Sequence, residues 1–111
     1  DVCFRHLKPG VDGQAVHQKV CASLVDSGFP NLVVNGNKEG FIHGTGHGLG
    51  LDIHESPSIS IRPSILEAGA VVTVEPGLYF SDGGAVRLED VALITPDGAE
   101  NLTTLEKTLV L

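Results

Sequence analysis

The sequence contains no methionine and no tryptophan, a single tyrosine, two cysteines, and only seven basic residues against 14 acidic ones. Each shortage excludes something. A formal charge of −7 argues against a phosphate backbone or an anionic membrane surface as a partner, so no nucleic acid and no membrane are expected. No apolar run approaches the roughly 18 residues needed to cross a bilayer, and no charged-then-apolar signal opens the chain. The chain reads as soluble and cytoplasmic. Cys3 and Cys21 lie in helical-looking segments without metal-ligand spacing, and they read as reduced thiols rather than a disulfide. The missing methionine, with Asp1 in first place, leads to the expectation that this is the tail of a longer protein. With 111 residues there is room for one modest core, or part of one, and little for an enclosed active site.

Turn signals divide what is present. "DVCFRHLK" resembles the end of a helix stopped by Pro9 and Gly10. Asp12 is a good N-cap for a second helix to about Ser27, with Val16, Val20 and Leu24 on one face and Gly28 as its stop. That register sends His17 and Lys19 to solvent, where His17 has no function. Phe29 to Gly40 reads as a loop around a short apolar piece, "NLVV". "SPSISIRPS" suggests an extended edge segment. Val71 to Val74 is a β-branched strand ending at Glu75-Pro76-Gly77, and a second strand runs from about Val86 to Thr95, closed by Pro96-Asp97-Gly98. "NLTTLEKTLVL" follows as a polar cap region and an apolar end. A helix followed by strands predicts an α+β layer with a mainly antiparallel sheet.

The stretch "FIHGTGHGLGLDIHE" holds His43, His47 and His54 among glycines at every second position. A dinucleotide fingerprint fails in each register, because its third glycine would fall on Leu49, Leu51 or Ile53. A helical zinc motif fails too: Gly44 follows His43 where a glutamate is needed, and each glycine would cost a helix about 1 kcal/mol relative to alanine. An extended backbone remains, in which glycine lets the chain approach a neighbouring strand or a ligand closely. Glu75, behind four apolar residues and held extended by Pro76, would be costly if buried without a partner. Period-two alternation places Arg87, Glu89, Val91 and Leu93 on one face. A surface Arg/Glu face with a structural Glu75 accounts for these residues equally well. Taken together, imidazoles and strand-borne carboxylates form a mixed nitrogen and oxygen donor set suited to a divalent Mn, Co, Fe or Zn ion.

"FIHGTGHGLGLDIHE", "VVTVEPGLY" and "AVRLEDVALITPDGAENLT", in that order, resemble the C-terminal signature of the Xaa-Pro aminopeptidase and prolidase branch of the pita-bread metallopeptidases. "LKPGVDGQAVHQKV" resembles the helix entry of the same family. The resemblance implies the C-terminal portion of a pita-bread fold over residues 1–111 and an enzyme that hydrolyses Xaa-Pro bonds in proline-containing peptides. It implies two divalent metal ions, with His47, Glu75 and Glu89 as ligands. Glu75 would double as general base and Glu89 would bridge the ions. His54 would bind substrate and stabilise or protonate the tetrahedral intermediate, and His43 would line the substrate pocket. Arg87 and Tyr79 would hold the carboxylates and the attacking water. Two aspartate ligands expected upstream of the "PG" helix are absent. The chain alone is therefore expected to bind metal weakly or not at all and to be inactive, and its exposed edges to favour a homodimer. Asp52, Glu55, Asp90 and Thr45 are expected to do turn, hydrogen-bond or salt-bridge duty. A creatinase-like C–N hydrolase and a catalytically silent binding module are the alternatives.

Overall fold

A computed structural model describes residues 1–108. The apolar end of the chain, Leu109 to Leu111, lies outside the described residues. Two helices, α1 (Val2–His6) and α2 (Gly13–Asp26), precede nine short strands. These are β1 (Leu32–Val34), β2 (Asn37–Glu39), β3 (Gly46–Gly48), β4 (Glu55–Ile59), β5 (Val71–Val74), β6 (Gly77–Phe80), β7 (Gly84–Arg87), β8 (Asp90–Thr95) and β9 (Gly98–Asn101).

Asp12 does cap α2: its carboxylate accepts from the Gln14 N–H at 2.9 Å, and the same oxygen accepts from the Ser64 N–H at 2.9 Å. One carboxylate thus satisfies an orphan helix donor and ties the helix entry to the loop after β4. Gly28, with φ of +92°, sits just past the helix in the left-handed conformation that glycine adopts without strain. The register expected for α2 is correct for Val16 and Val20, which are buried, and wrong for His17, which is only 6% exposed. A helix packed on two sides has a wider buried arc than a three-residue stripe indicates: α2 meets both α1 and β4.

The main sheet has five strands in the order β4-β3-β5-β8-β9, with antiparallel neighbours throughout. The α+β expectation holds, and "SPSISIRPS" does supply an edge strand, β4. Central β5 is covered on both faces, with Val72, Thr73 and Val74 all buried, which explains its continuous apolar run. The core joins Cys3, Leu7, Val16 and Val20 from the helical side to Phe41, Ile59, Leu66, Val72, Val74, Ala92 and Ile94. Both cysteines are free, and burial pushes the Cys3 thiol up to about 12.

Three readings need correction. The expected loop from Phe29 to Gly40 contains a β-hairpin, β1–β2, closed by Asn35 (φ 51°) and Gly36 (φ 82°). This Asn-Gly pair is a hairpin signal, masked because Leu32, Val33 and Val34 are all exposed and show no alternation. The expected strand from Val86 to Thr95 is two strands in different sheets: β7 pairs with β6, and β8 pairs with β5. Leu88 and Glu89 form the link between them, so the single alternating face drawn through Arg87 and Glu89 does not exist. The Pro96-Asp97-Gly98 turn leads into an unexpected strand, β9, which pairs with β8 and of which only Asn101 belongs to the expected polar cap region.

Candidate metal and peptide site

The glycine stretch is extended, and its glycines are required by close approach. A Cβ on Gly46 would lie 1.8 Å from the Thr73 carbonyl oxygen, and one on Gly48 2.4 Å from that of Ser56. Strand β3 is therefore pressed between β5 and β4. This places His47, from the middle of β3, beside Glu75, which extends β5 by one residue. The Glu75 N–H donates to the Thr45 carbonyl at 2.7 Å, continuing the contact between the two segments.

His47 Nε2 lies 3.1 Å from Glu75 Oε1, with both side chains mostly shielded from solvent. A carbonyl can only accept, so His47 Nδ1, 3.0 Å from the Gly48 oxygen, carries a hydrogen. The Nε2 lone pair then faces a carboxylate oxygen, an arrangement that requires a cation between them, whether a proton or a metal ion. An imidazole whose other nitrogen is tied to a backbone carbonyl is the usual preparation for metal ligation. Thr73 completes the pair: its hydroxyl donates to Glu75 Oε1 at 3.0 Å and accepts from the His47 N–H at 3.0 Å. Arg87 Nε stands 3.9 Å from the second Glu75 oxygen.

His43 follows the same design, with Nδ1 2.7 Å from the Gly44 oxygen and Nε2 3.1 Å from the Tyr79 hydroxyl. Tyr79 is brought there by paired hydrogen bonds between its backbone and that of Gly40, at 2.9 and 3.1 Å. The exposed His54 ring stacks edge-on against His47, with centroids 4.6 Å apart, and the two line an open cleft of about 460 Å³ with Ser58, Ser60 and Arg62. Of the seven sequence-derived candidates, His47, Glu75, Arg87 and His54 form one connected group, and His43 with Tyr79 a second. Glu89 lies exposed in the β7–β8 link. Among the described residues, no three or more His, Cys, Asp or Glu side chains converge where a metal ion could sit. The His47–Glu75 pair fits a divalent ion in donor type and tautomer but is not by itself a complete ligand set.

Against this geometry, the family model described as metallopeptidase family M24 matches residues 1–96. The chain belongs to metallopeptidase family M24. A curated Xaa-Pro dipeptidase of Pyrococcus furiosus is 51% identical to this M24 chain over 71 residues, 63% of the chain and 20% of the relative. An uncharacterised peptidase of Bacillus subtilis is 41% identical over 107 residues, 96% of the chain and 28% of the relative. The solved prolidase of Pyrococcus horikoshii superposes with a TM-score of 0.81 at 34% identity, covering 97% of the M24 chain and 29% of the prolidase. The Xaa-Pro dipeptidase of Bacillus anthracis gives 0.82 at 35%, covering 98% and 29%. The M24 chain thus has part of the pita-bread fold of these proteins and spans under a third of their length.

Sequence reasoning missed two residues. Thr73 is nearly inaccessible at 2% exposure and bridges His47 and Glu75. Its signal was present, since a polar residue two before Glu75 in "VVTV" shares the face of that carboxylate. His17 Nδ1 lies 2.9 Å from the fully buried Thr45 hydroxyl. Nothing local announces this, because Thr45 is 28 residues away. Asp52, Glu55 and Asp90 make contacts of the expected kind: Glu55 accepts from the Asp52 N–H at 3.1 Å, and Asp90 pairs with Lys107 at 2.7 Å.

Burial, and then the nearby His43, hold the His17 pKa below its ordinary value. A histidine depressed in the folded state takes up its proton more readily when unfolded. His17 therefore contributes fully to stability above its unfolded pKa of about 6.5, and that contribution is lost as pH falls below it. Urea unfolding from pH 7.5 down to 5 is expected to show stability falling by up to about 1.4 kcal/mol per pH unit from this group. His17→Gln should flatten that part of the curve; an unchanged slope would assign the acid sensitivity elsewhere.

Proposed function

We propose that this chain is the part of a metallopeptidase that carries His47, Glu75 and Glu89 as metal ligands, and that the complete protein hydrolyses Xaa-Pro bonds. The observation that carries the reading is the His47–Glu75 pair at 3.1 Å, with the imidazole tautomer set by Gly48. The relatives named as Xaa-Pro dipeptidases and the prolidase neighbour support the substrate class. The chemistry supplied by bound divalent ions is a water acidified toward neutrality and a polarised scissile carbonyl.

The chain's own residues do the rest. Glu75 accepts the proton of the attacking water, and Thr73 keeps its Oε1 oriented toward His47. Arg87 balances the charge on Oε2. His54, exposed at the rim of the cleft, donates to the oxyanion that develops on the carbonyl oxygen. His43, held by Tyr79 and Gly44, lines the path of the peptide. Two further carboxylates, aspartates supplied from outside these 111 residues, complete the ligand set. A cytoplasmic setting belongs to the same reading. So does a homodimer, which would cover exposed apolar residues such as Val33, Leu51 and Ile53.

Calorimetric titration of the 111-residue chain with Mn²⁺ or Co²⁺ tests the incompleteness directly. Weak binding and no cleavage of Xaa-Pro peptides are expected. Tight uptake of two ions by this chain would sink the assignment of missing ligands. Cleavage of creatine in preference to Xaa-Pro peptides by the complete protein would replace the peptidase with a C–N hydrolase.

A further inference from the structure

Asn31 belongs to neither group of the site, yet its side chain holds the backbone that leads into one of them. Its amide grips Phe41 twice: Oδ1 accepts from the Phe41 N–H at 2.8 Å, and Nδ2 donates to the Phe41 carbonyl at 3.0 Å. Those partners fix which end of the amide is which, because an N–H can only donate and a carbonyl can only accept. Asn31, Phe41 and His43 all line one open cleft of about 570 Å³.

The need for this clamp lies in the chain itself. Extending the β1–β2 pairing beyond Leu32 and Glu39 would set Pro30 opposite Phe41, and proline has no N–H to donate to the Phe41 carbonyl. Phe41 is only 4% exposed, so its backbone polar groups need partners within the protein. The Asn31 amide supplies one donor and one acceptor in place of the missing strand. Gly40 lets it in: a Cβ there would lie 2.6 Å from Asn31 Oδ1, and the Gly40 backbone pairs instead with that of Tyr79. With its backbone held at both polar groups, Phe41 packs its ring edge-on against His43, centroids 5.2 Å apart. The imidazole is then bounded on three sides, by the Phe41 ring, by the Gly44 carbonyl at Nδ1 and by the Tyr79 hydroxyl at Nε2.

We propose that Asn31 is the positioning residue for His43, fixing the imidazole through Phe41 without touching substrate itself. Its consequence for peptide binding rests on the reading above, in which His43 lines the path of the peptide. A wall already rigid before the substrate arrives spares the ordering cost of binding. Loss of the clamp should therefore appear in KM and leave kcat nearly unchanged. Asn31 is itself exposed, so substituting it removes no core packing.

Two readouts test the clamp. In ¹⁵N NMR of the unmutated chain at about pH 8, where imidazole is neutral, the fixed tautomer should give His43 two well-separated ring-nitrogen signals, a protonated Nδ1 and a bare Nε2. Asn31→Ala should draw the two signals together as the tautomers average. Asn31→Asp, which keeps the acceptor for the Phe41 N–H and loses the donor to its carbonyl, should fall between. Asn37→Ala, in the same hairpin but paired with Val34, should leave both signals in place. In the complete protein, Asn31→Ala should raise KM for Xaa-Pro peptides by about tenfold with kcat within about threefold. Added to His43→Ala it should raise KM no further, as for two residues acting as one unit. Unshifted ring signals in Asn31→Ala, or KM losses that multiply in the double variant, would overturn the proposal. Merged signals beside an unaltered KM in His43→Ala would instead overturn the peptide-path reading and leave the clamp standing.

Discussion

Gly46→Ala is expected to destabilise the chain by about 3 kcal/mol or more, a large effect for a single methyl group. The added Cβ would stand 1.8 Å from the Thr73 oxygen and 2.7 Å from its carbonyl carbon. Both are backbone atoms in the central strand of the five-stranded sheet, so no rotamer change relieves the clash. The strands must separate, and separation breaks more than packing. It removes the Thr73 contacts to the His47 N–H and to Glu75, and with them the 3.1 Å approach of imidazole to carboxylate. Gly83→Ala is the matched control, because a Cβ there meets only Phe80 Cβ at an ordinary 3.6 Å. It should shift stability by no more than about 0.5 kcal/mol. Urea unfolding of both variants decides the matter, and similar midpoints for the two would remove close strand approach as the reason for the glycine pattern.

Glu75→Gln is expected to lower kcat/KM for Xaa-Pro peptides by about 10²–10⁴-fold in the complete protein, the range lost with a general base. The substitution keeps size and can keep the hydrogen bond from Thr73, so the fold should survive. What it removes is the carboxylate opposite His47 Nε2 and, with it, the proton acceptor of the proposed mechanism. Thr73→Val separates these roles, since it leaves Glu75 charged but frees it to rotate and strips the His47 N–H of its acceptor. A smaller loss is expected, with part of it in stability, because a buried polar group left unpaired costs about 1–3 kcal/mol. Glu75→Gln activity within about threefold of the unmutated protein would exclude Glu75 as base.

Legibility followed the range of the interaction. Helix α2 could be read because its cap at Asp12 and stop at Gly28 are written within the helix's own segment. Strand β5 could be read because four β-branched residues end at Pro76. The β1–β2 hairpin was hidden because its strands expose their apolar residues, leaving only the Asn35-Gly36 turn as evidence. The break at Leu88 and Glu89 was invisible for a different reason: each half is a sound strand, and only its partner shows that the two belong to different sheets.

The same division runs through the candidate site. By itself the sequence determined the residue types and the extended backbone that carries them, because glycine cost and proline geometry act within a residue or two. The family resemblance added His47, Glu75 and Glu89 as a group of expected ligands. Tertiary structure alone decided that His47 and Glu75 meet, across a strand contact between segments 28 residues apart, and that Thr73 stands between them. It likewise decided that His17 is buried against Thr45 and Cys21, when its own helix register pointed it to water. Desolvation and hydrogen-bond partners are set by whatever packs against a residue, and the elements that pack here come from distant stretches of the chain.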